Sequence, residues 1–377
     1  MPACSSLIEV LRLSARVEFC PDDYGRLARA ATRLQNWQEL PEAADAHGLA
    51  PLVYEHMTRV GIEMPAETRR ELVSLVLLHR HANRVRFRVL GEILDAFFAA
   101  GIDVIVLKGA ALAHLLYPSV ALRQLSDIDL LVGRPHAARA QSLLARLGFM
   151  APPVPLSRHL AGHHHLPGAI RTCDGQIVQV EIHHNALSRD APGSLTIERL
   201  TSRPQRFSVE GRAAYALGHA DMLYHLCRHV AECAPLLRLI WVADVVGYAT
   251  RYRHQIPWAE VRRRYPFVLN ALSLLHLVTA LPGELLEHVV PACAGVDNGV
   301  GVAGKPLTEI FRKGRPLGDV GRDIFHPSDW WLRLYYGVGS DRSLWWHRWV
   351  RHPLHLANWL ARRSGSYVQW RLHAHAE

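Results

Sequence analysis

The chain of 377 residues lacks the features of membrane-spanning, secreted and zinc-ribbon proteins. Although 49% of its residues are hydrophobic, no run of 18 uninterrupted apolar residues occurs, so we expect no transmembrane helix. The N-terminus has no basic segment leading into an apolar one, so we expect no signal peptide. The six cysteines are scattered without Cys-x-x-Cys spacing, which is typical of reduced thiols. These absences predict a cytoplasmic protein.

Two common nucleotide-binding signatures are also missing. The chain has neither a Gly-x4-Gly-Lys-Ser/Thr loop nor a Gly-x-Gly-x-x-Gly fingerprint. Its net charge of +9 suits a polyanionic ligand, but no RNA-binding motif accompanies that charge. An arginine-rich composition is also what a GC-rich genome produces. We therefore expect no nucleic-acid partner.

The most informative segment is residues 126–132, an apolar strand that contains Asp-Ile-Asp. Alternation along a strand places Asp127 and Asp129 on one face and the apolar residues Ile128 and Leu130 on the other. An Asp-x-Asp alone is common in turns and at strand edges. Two carboxylates this close inside an apolar strand, however, repel each other unless a positive group lies between them. A divalent cation is the usual solution, so the segment predicts a metal site.

A third carboxylate follows in residues 176–184, where Glu181 and His183 share the face opposite the apolar residues. The Asp-Gly pair just before this segment predicts a hairpin turn, with a partner strand at roughly residues 164–171. A hairpin adjoining the first strand would place Glu181 beside Asp127 and Asp129. Three acids on neighbouring strands can hold two magnesium ions.

A turn upstream of the acids supplies the features of a phosphate site. Gly109 allows close approach of the backbone to a ligand, and a helix beginning near Ala110 would point its free amide groups there. Lys108 either adds a point charge to this site or extends its aliphatic stem along the strand end. The order of strand, turn and helix thus predicts phosphate binding.

Together, the Lys-Gly turn, the Asp-x-Asp strand and Glu-Ile-His at 181–183 resemble the DNA polymerase β-type nucleotidyltransferase superfamily. More narrowly, they are similar to a bacterial family of uncharacterised nucleotidyltransferases, and the similarity extends over roughly residues 25–250. The chain departs from the wider superfamily at Gly109-Ala110, where many members carry a serine that contacts the triphosphate.

The resemblance implies transfer of a nucleotidyl group from a nucleoside triphosphate, with ATP expected, to an unidentified small molecule, sugar or peptide. It implies two Mg²⁺ ions held by Asp127 and Asp129, with Glu181 ligating the catalytic ion and helping to deprotonate the acceptor. Arg123 would neutralise charge on the phosphates or anchor the loop before the strand. The full set expected at the nucleotide is Lys108, Gly109, Ala110, Arg123, Ser126 and His183.

The corresponding fold is α+β, with a polymerase β-like nucleotidyltransferase core of mixed sheet and helices between two helical regions. We expect an N-terminal helical region at 1–100, the core at 101–212 and a C-terminal helical region at 213–377. Helices are expected at 22–36, 40–59, 67–99, 135–148, 221–232 and 236–252, and loops at the glycine-rich segments 295–304 and 314–321.

Two other functions remain open from the sequence. A nucleotide-sugar-dependent glycosyltransferase also uses Asp-x-Asp at a strand end, but it would place a nucleotide-binding α/β unit before that motif. The preceding residues have helical periodicity instead. A non-catalytic scaffold within a biosynthetic complex would keep the fold without the reaction, although all three acids are intact.

Three further features have alternative interpretations. His159 and His163 have the spacing of a helical zinc pair, but a histidine in this stretch fits better as part of the nucleotide cleft. Asp244, within an apolar helix, either pairs with a residue such as Arg238 or His225 or faces the cleft. Residues 342–371 combine arginine and tryptophan without acids, which predicts a helical layer with docked tryptophans or a peripheral membrane or peptide contact.

Overall fold

The computed structural model describes residues 6–19, 21–154, 160, 162–188, 191–233, 237–289, 316–339 and 342–361. Within these ranges helices surround one six-stranded sheet. No helix in the described ranges combines the length and apolar character needed to cross a bilayer. The helices are α1 Ser6–Ser14, α2 Pro21–Thr32, α3 Leu40–Ala46, α4 Ala50–Val60, α5 Ala66–Ala99, α6 Lys108–Leu115, α7 Ala137–Arg146, α8 His219–Cys233, α9 Leu239–Arg251, α10 Trp258–Arg264, α11 Pro266–His276, α12 Gly283–Leu286, α13 Leu317–Phe325, α14 Asp329–Tyr336 and a last helix at 345–361.

The sheet has the spatial order β3-β4-β2-β1-β6-β5. The β1–β6 and β2–β4 pairs are parallel, whereas the β1–β2, β3–β4 and β5–β6 pairs are antiparallel. The predicted α+β fold with a mixed sheet is therefore confirmed. The strands are β1 Val104–Val106, β2 Ile128–Val132, β3 Ala169–Cys173, β4 Gln176–His183, β5 Gln205–Val209 and β6 Arg212–Ala216.

The β3–β4 hairpin turns at the predicted Asp-Gly pair. Asp174 and Gly175 have φ angles of 46° and 72°, and Cys173 pairs with Gln176 across the two-residue loop. Positive φ at both central residues is the requirement of a type I′ turn, which Asp-Gly satisfies at little cost. The strand before the turn begins at Ala169, later than predicted, because a Pro-Gly pair at 167–168 precedes it.

One helix prediction and one loop prediction were wrong in their extent. Residues 40–59 form two helices, α3 and α4, because the chain turns at Gly48 with a φ of +74°. A side chain there would also lie within 2.9 Å of Ile240, so glycine serves both the turn and the packing. The expected loop at 314–321 instead contains the start of α13, since two glycines cost a helix only about 1 kcal/mol each. The segment 295–304 lies outside the described residues.

A buried ion pair joins the loop before β2 to α9. The Arg123 guanidinium donates to both carboxylate oxygens of Asp244 at 2.7–3.2 Å, and the Tyr117 hydroxyl donates to Asp244 Oδ1 at 2.7 Å. From α5, the Asn83 side chain donates to the Arg123 carbonyl at 2.8 Å. Of the two interpretations of Asp244, the structure agrees with the polar contact. Its partners are Arg123 and Tyr117, and not the Arg238 or His225 given as examples.

Replacing Arg123 with methionine leaves the Asp244 carboxylate buried without its cationic partner. We expect Arg123→Met to lower the free energy of unfolding by roughly 3–5 kcal/mol, as measured by urea denaturation. The matched control is Arg59→Met, which breaks the exposed Arg59–Glu55 pair on α4. The control is expected to change stability by about 1 kcal/mol or less. Equal effects of the two substitutions would contradict the structural role of the buried pair.

Candidate active site

The site forms where the end of β1, the start of β2 and the end of β4 meet. In the parallel β2–β4 pair, Asp129 lies directly beside Glu181. The amide of Leu107, which follows β1, donates to the carbonyl of Asp129 at 2.9 Å. The sequence prediction that the hairpin brings Glu181 to the Asp-x-Asp strand is therefore confirmed for Asp129.

The Asp129 carboxylate is only 3% exposed, and one of its oxygens accepts two donors. Asp129 Oδ1 lies 2.8 Å from His183 Nε2 and 3.2 Å from Lys108 Nζ. Burial alone would raise the pKa of Asp129, but Lys108 and His183 outweigh it and hold that pKa well below its usual range. Asp129 is thus a buried carboxylate that stays ionised.

Lys108 adopts an uncommon backbone conformation at the start of α6. Its φ of +47° lies in the left-handed region, which a non-glycine residue enters only at a cost. Burial would lower the pKa of Lys108, but the carboxylates of Asp129 and Asp127 together raise it. The structure therefore brings a charged ammonium to the acids, and its contact with phosphate stays a prediction.

Glu181 is the more accessible acid, with 20% of its side chain exposed. The Gln179 amide donates to Glu181 Oε1 at 3.0 Å, and His183 Nε2 lies 3.6 Å from Oε2. The contact with His183 is the main reason that the pKa of Glu181 lies below its ordinary value. His165 approaches the same oxygen at 3.9 Å. Glu181 is therefore also ionised near neutral pH.

One cluster in the described part of the chain has the spacing of a metal site: Asp129, Glu181 and His183, whose ligand atoms all lie within 4.8 Å of one another. Two ionised carboxylates and an imidazole form a donor set that fits a divalent cation. The predicted metal set was Asp127, Asp129 and Glu181. The structure brings two of these together and adds His183.

Asp127 lies outside that cluster. Its carboxylate accepts a hydrogen bond from the Ser126 hydroxyl at 2.9 Å. Burial and the neighbouring charge of Asp129 raise the pKa of Asp127. Its part in metal binding and the part of Ser126 in nucleotide binding remain predictions.

The turn glycine has a packing role that the sequence did not reveal. A Cβ at Gly109 would lie 2.8 Å from Leu125 Cδ2 and 3.2 Å from Arg123 Nη2, whereas the positive φ belongs to Lys108. Ala110, the next residue, is 1% exposed. The Arg123 guanidinium forms an ion pair with Asp244. This contact agrees with the second of its two expected roles, which is to anchor the loop before β2.

A group of histidines lines the side of the site next to β4. The rings of His164 and His165 lie 5.5 Å and 5.3 Å from that of His183, between centroids. Burial lowers the pKa of His164 to about 2, so this ring is neutral. His159, the other member of the suggested zinc pair with His163, lies outside the described residues.

Two histidines of α8 are influenced by the charges of the site, which the sequence did not reveal. Burial and the charge of Lys108 lower the pKa of His225 to about 3, and the same two influences lower that of His229. The two histidines are four residues apart, so they share one face of α8. The four-residue spacing of the two histidines can be read from the sequence. Only the structure shows that the charge of Lys108 acts on both rings.

Comparison with known proteins places the chain in a family. Residues 33–287, more than half of the chain, match the sequence profile described as "uncharacterised nucleotidyltransferase". The chain belongs to this family. The resemblance to this narrower family and the nucleotidyltransferase class predicted from the sequence are thereby confirmed. No curated protein matches the chain.

Some solved structures have limited similarity to the chain. A crystal structure of ANT(2'')-Ia with adenylyl-2''-tobramycin is 14% identical, covers 48% of this chain and 98% of its own, and has a TM-score of 0.34. An antigenic nucleotidyltransferase-like protein from Paracoccidioides brasiliensis is 13% identical, covers 55% and 98%, and has a TM-score of 0.30. Neither similarity is high enough to assign a substrate.

The hydrogen bond from His183 to Asp129 has a measurable consequence. Burial favours the neutral ring, but contacts with Asp129 and Glu181 raise the pKa of His183 above its ordinary value of 6.5. In the metal-free protein the protonated ring therefore stabilises the fold below pH 6.5, and this contribution is lost as pH rises through the folded-state pKa. We expect Asp129→Asn to lower the pKa of His183, as measured by NMR titration of the ring.

The His183 resonance is assigned by its loss in His183→Asn. Glu63→Gln, which removes an exposed acid far along the sequence, is the control and should leave the titration unchanged. An unaltered His183 pKa in Asp129→Asn would show that this carboxylate does not hold the ring.

Proposed function

We propose that this protein transfers a nucleoside monophosphate from a nucleoside triphosphate to a hydroxyl or similar group of a small molecule, sugar or peptide, releasing pyrophosphate. The observation that carries the proposal is the pairing of Asp129 with Glu181 across parallel strands, beside Lys108, in a chain of the nucleotidyltransferase family. ATP is the donor that we propose to test first.

The proposal assigns Asp129, Glu181 and Asp127 to the binding of two Mg²⁺ ions, with the His183 ring holding Asp129 through its Nε2. When bound, such ions neutralise the charge of the triphosphate and favour ionisation of an attacking hydroxyl. The low pKa values of Asp129 and Glu181 keep both carboxylates ionised, as ligands must be. A low pKa also makes Glu181 better suited to ligation than to accepting a proton.

Lys108 supplies the positive charge for the phosphates in this proposal. Its ammonium lies 3.2 Å from Asp129, so a phosphate bound next to this carboxylate would lie within reach of the same ammonium. The lysine side chain carries three donors on a flexible stem and can contact both groups. His183, 1% exposed, orients Asp129 in this arrangement and does not contact the nucleotide.

The proposed organisation keeps three regions, with helical segments at 1–100 and 213–377 around the core. β6, at Arg212–Ala216, crosses the expected boundary at 212 and pairs with β1, so we extend the core to residue 216. We also propose a cytoplasmic location, on the grounds of the scattered cysteines without Cys-x-x-Cys spacing.

Isothermal titration of ATP, GTP, CTP and UTP with Mg²⁺ tests the proposal. We expect the wild type to bind at least one triphosphate in a magnesium-dependent manner. Asp129→Asn and Glu181→Gln should each weaken binding by tenfold or more, a loss of about 1.4 kcal/mol or greater. Glu63→Gln, an equivalent loss of an exposed acid, should leave the affinity within twofold.

The other outcomes separate the alternatives. Binding of a nucleotide sugar in place of the triphosphates would support a glycosyltransferase. No binding of any nucleotide would support a scaffold. Triphosphate affinity that is unchanged in Asp129→Asn and Glu181→Gln would place the nucleotide elsewhere in the protein.

A further inference from the structure

A cavity lies among the C-terminal helices, and none of the residues that line it belongs to the acidic site. Its volume is about 1070 Å³, it is open to solvent, and α8, α11, α14 and the last helix at 345–361 contribute residues to its lining. Ligand pockets for small molecules commonly have volumes of about 300–1,000 Å³. The cavity is therefore large enough for a small organic ligand.

The charged side chains of described residues that line the cavity all have one sign. Among the described residues that line it there are three arginines, Arg228, Arg342 and Arg351, and no aspartate or glutamate. Arg228 forms an ion pair with Glu232 at 2.9 Å. Arg342 and Arg351 form no ion pair with any described residue. Two cationic side chains thus face the cavity without a carboxylate of the described chain to neutralise them.

Aromatic rings hold two of these guanidinium groups in place. Arg351 lies over the ring of Tyr336 at 4.7 Å, and Arg228 lies over the ring of Phe267 at 4.6 Å. A cation–π contact of this kind restrains a guanidinium and leaves its N–H groups free to donate. Arg228 donates to Glu232, whereas Arg351 is held at the cavity with its N–H groups available to an anionic group.

The last helix is irregular at the cavity. Residues His347–Arg351 form a π-helical segment, and both ends of that segment line the cavity. Such segments are rare and occur frequently at functional sites. Burial and the nearby Arg351 lower the pKa of His347, so its ring is neutral and adds no charge of its own.

The same helix is fastened to α14 by hydrogen bonds between aromatic residues. The Tyr336 hydroxyl lies 3.0 Å from His352 Nδ1, and the Tyr335 hydroxyl lies 3.1 Å from His355 Nε2. Tyr335 and Tyr336 both line the cavity together with Trp346. The wall is consequently both aromatic and fixed, which suits a ligand with a flat apolar part.

The tryptophans of this region do not dock as one of the two sequence interpretations expected. The side chains of Trp345, Trp346 and Trp349 are 56–63% exposed. The last helix contacts the tyrosines of α14 through His352 and His355 instead. Residues 362–371 lie outside the described part of the chain. The exposed rings leave a lipid surface as the competing partner for this helix.

We propose that this cavity binds a small organic anion, a carboxylate or phosphate ester that carries a flat apolar group. Arg342 and Arg351 hold the anionic group, and Tyr335, Tyr336 and Trp346 cover the apolar part. The proposal does not depend on nucleotidyl transfer, since none of these residues belongs to the acidic site.

The probes are benzoate and phenyl phosphate, which share the ring and differ in the anion, together with inorganic phosphate. Binding is followed by the change in tryptophan fluorescence and by calorimetry. We expect the wild type to bind benzoate or phenyl phosphate, and the double variant Arg342→Gln, Arg351→Gln to bind at least tenfold more weakly. The matched control is the double variant Arg262→Gln, Arg263→Gln, which removes two exposed arginines of α10 that do not line the cavity.

Preference for benzoate over phenyl phosphate assigns the carboxylate as the natural group, and the reverse preference assigns the phosphate ester. No binding of either aromatic probe at millimolar concentration would overturn the proposal, as would an equal loss of binding in the α10 control. Binding only to vesicles of anionic phospholipid would also overturn it and assign the helix to a membrane surface. Thermal unfolding followed by circular dichroism confirms that each variant is folded, and the single variants replace the double one if it is not.

Discussion

The contacts of one carboxylate oxygen hold the site together. Asp129 Oδ1 accepts from both Lys108 and His183, and the residue lies in register with Glu181 on the neighbouring strand. Burying two carboxylates side by side costs free energy unless positive groups and donors compensate it. Lys108 supplies charge from the start of α6, and His183 supplies a donor from β4. Three segments that are distant in sequence are therefore required to meet at this point.

A second constraint fixes the turn that delivers Lys108. Arg123 lies beneath Gly109 and forms a buried ion pair with Asp244 on α9, so the turn is packed against a rigid support. The uncommon backbone conformation of Lys108 is sustained by this support, since strained residues persist only where the surroundings determine them. Asp244 on α9 thus contributes to the site through Arg123 and the turn at Gly109.

The sequence predicted the parts of the site that depend on local rules. Strand alternation placed Asp129 and Glu181 on inward faces, and the Asp-Gly pair predicted the hairpin that brings them together. It did not predict the hydrogen bond of His183 to Asp129, because facing side chains on neighbouring strands depend on register. Nor did it settle the role of Arg123, whose partner lies 121 residues away. The break at Gly48 escaped prediction because contact with Ile240 is also long-range.

Manganese binding to the metal-free protein tests most directly whether this cluster is a metal site. The free-ion electron paramagnetic resonance signal is followed as Mn²⁺ is added, with and without ATP, to wild type, Asp129→Asn and Glu181→Gln. Uptake by each protein is taken relative to a protein-free blank with the same ATP, because ATP itself binds Mn²⁺. We expect the wild type to remove Mn²⁺ from solution and both variants to remove tenfold less at the same concentration. Uptake that is equal in all three proteins, or no uptake by the wild type even with ATP, would contradict the assignment of Asp129 and Glu181 as ligands.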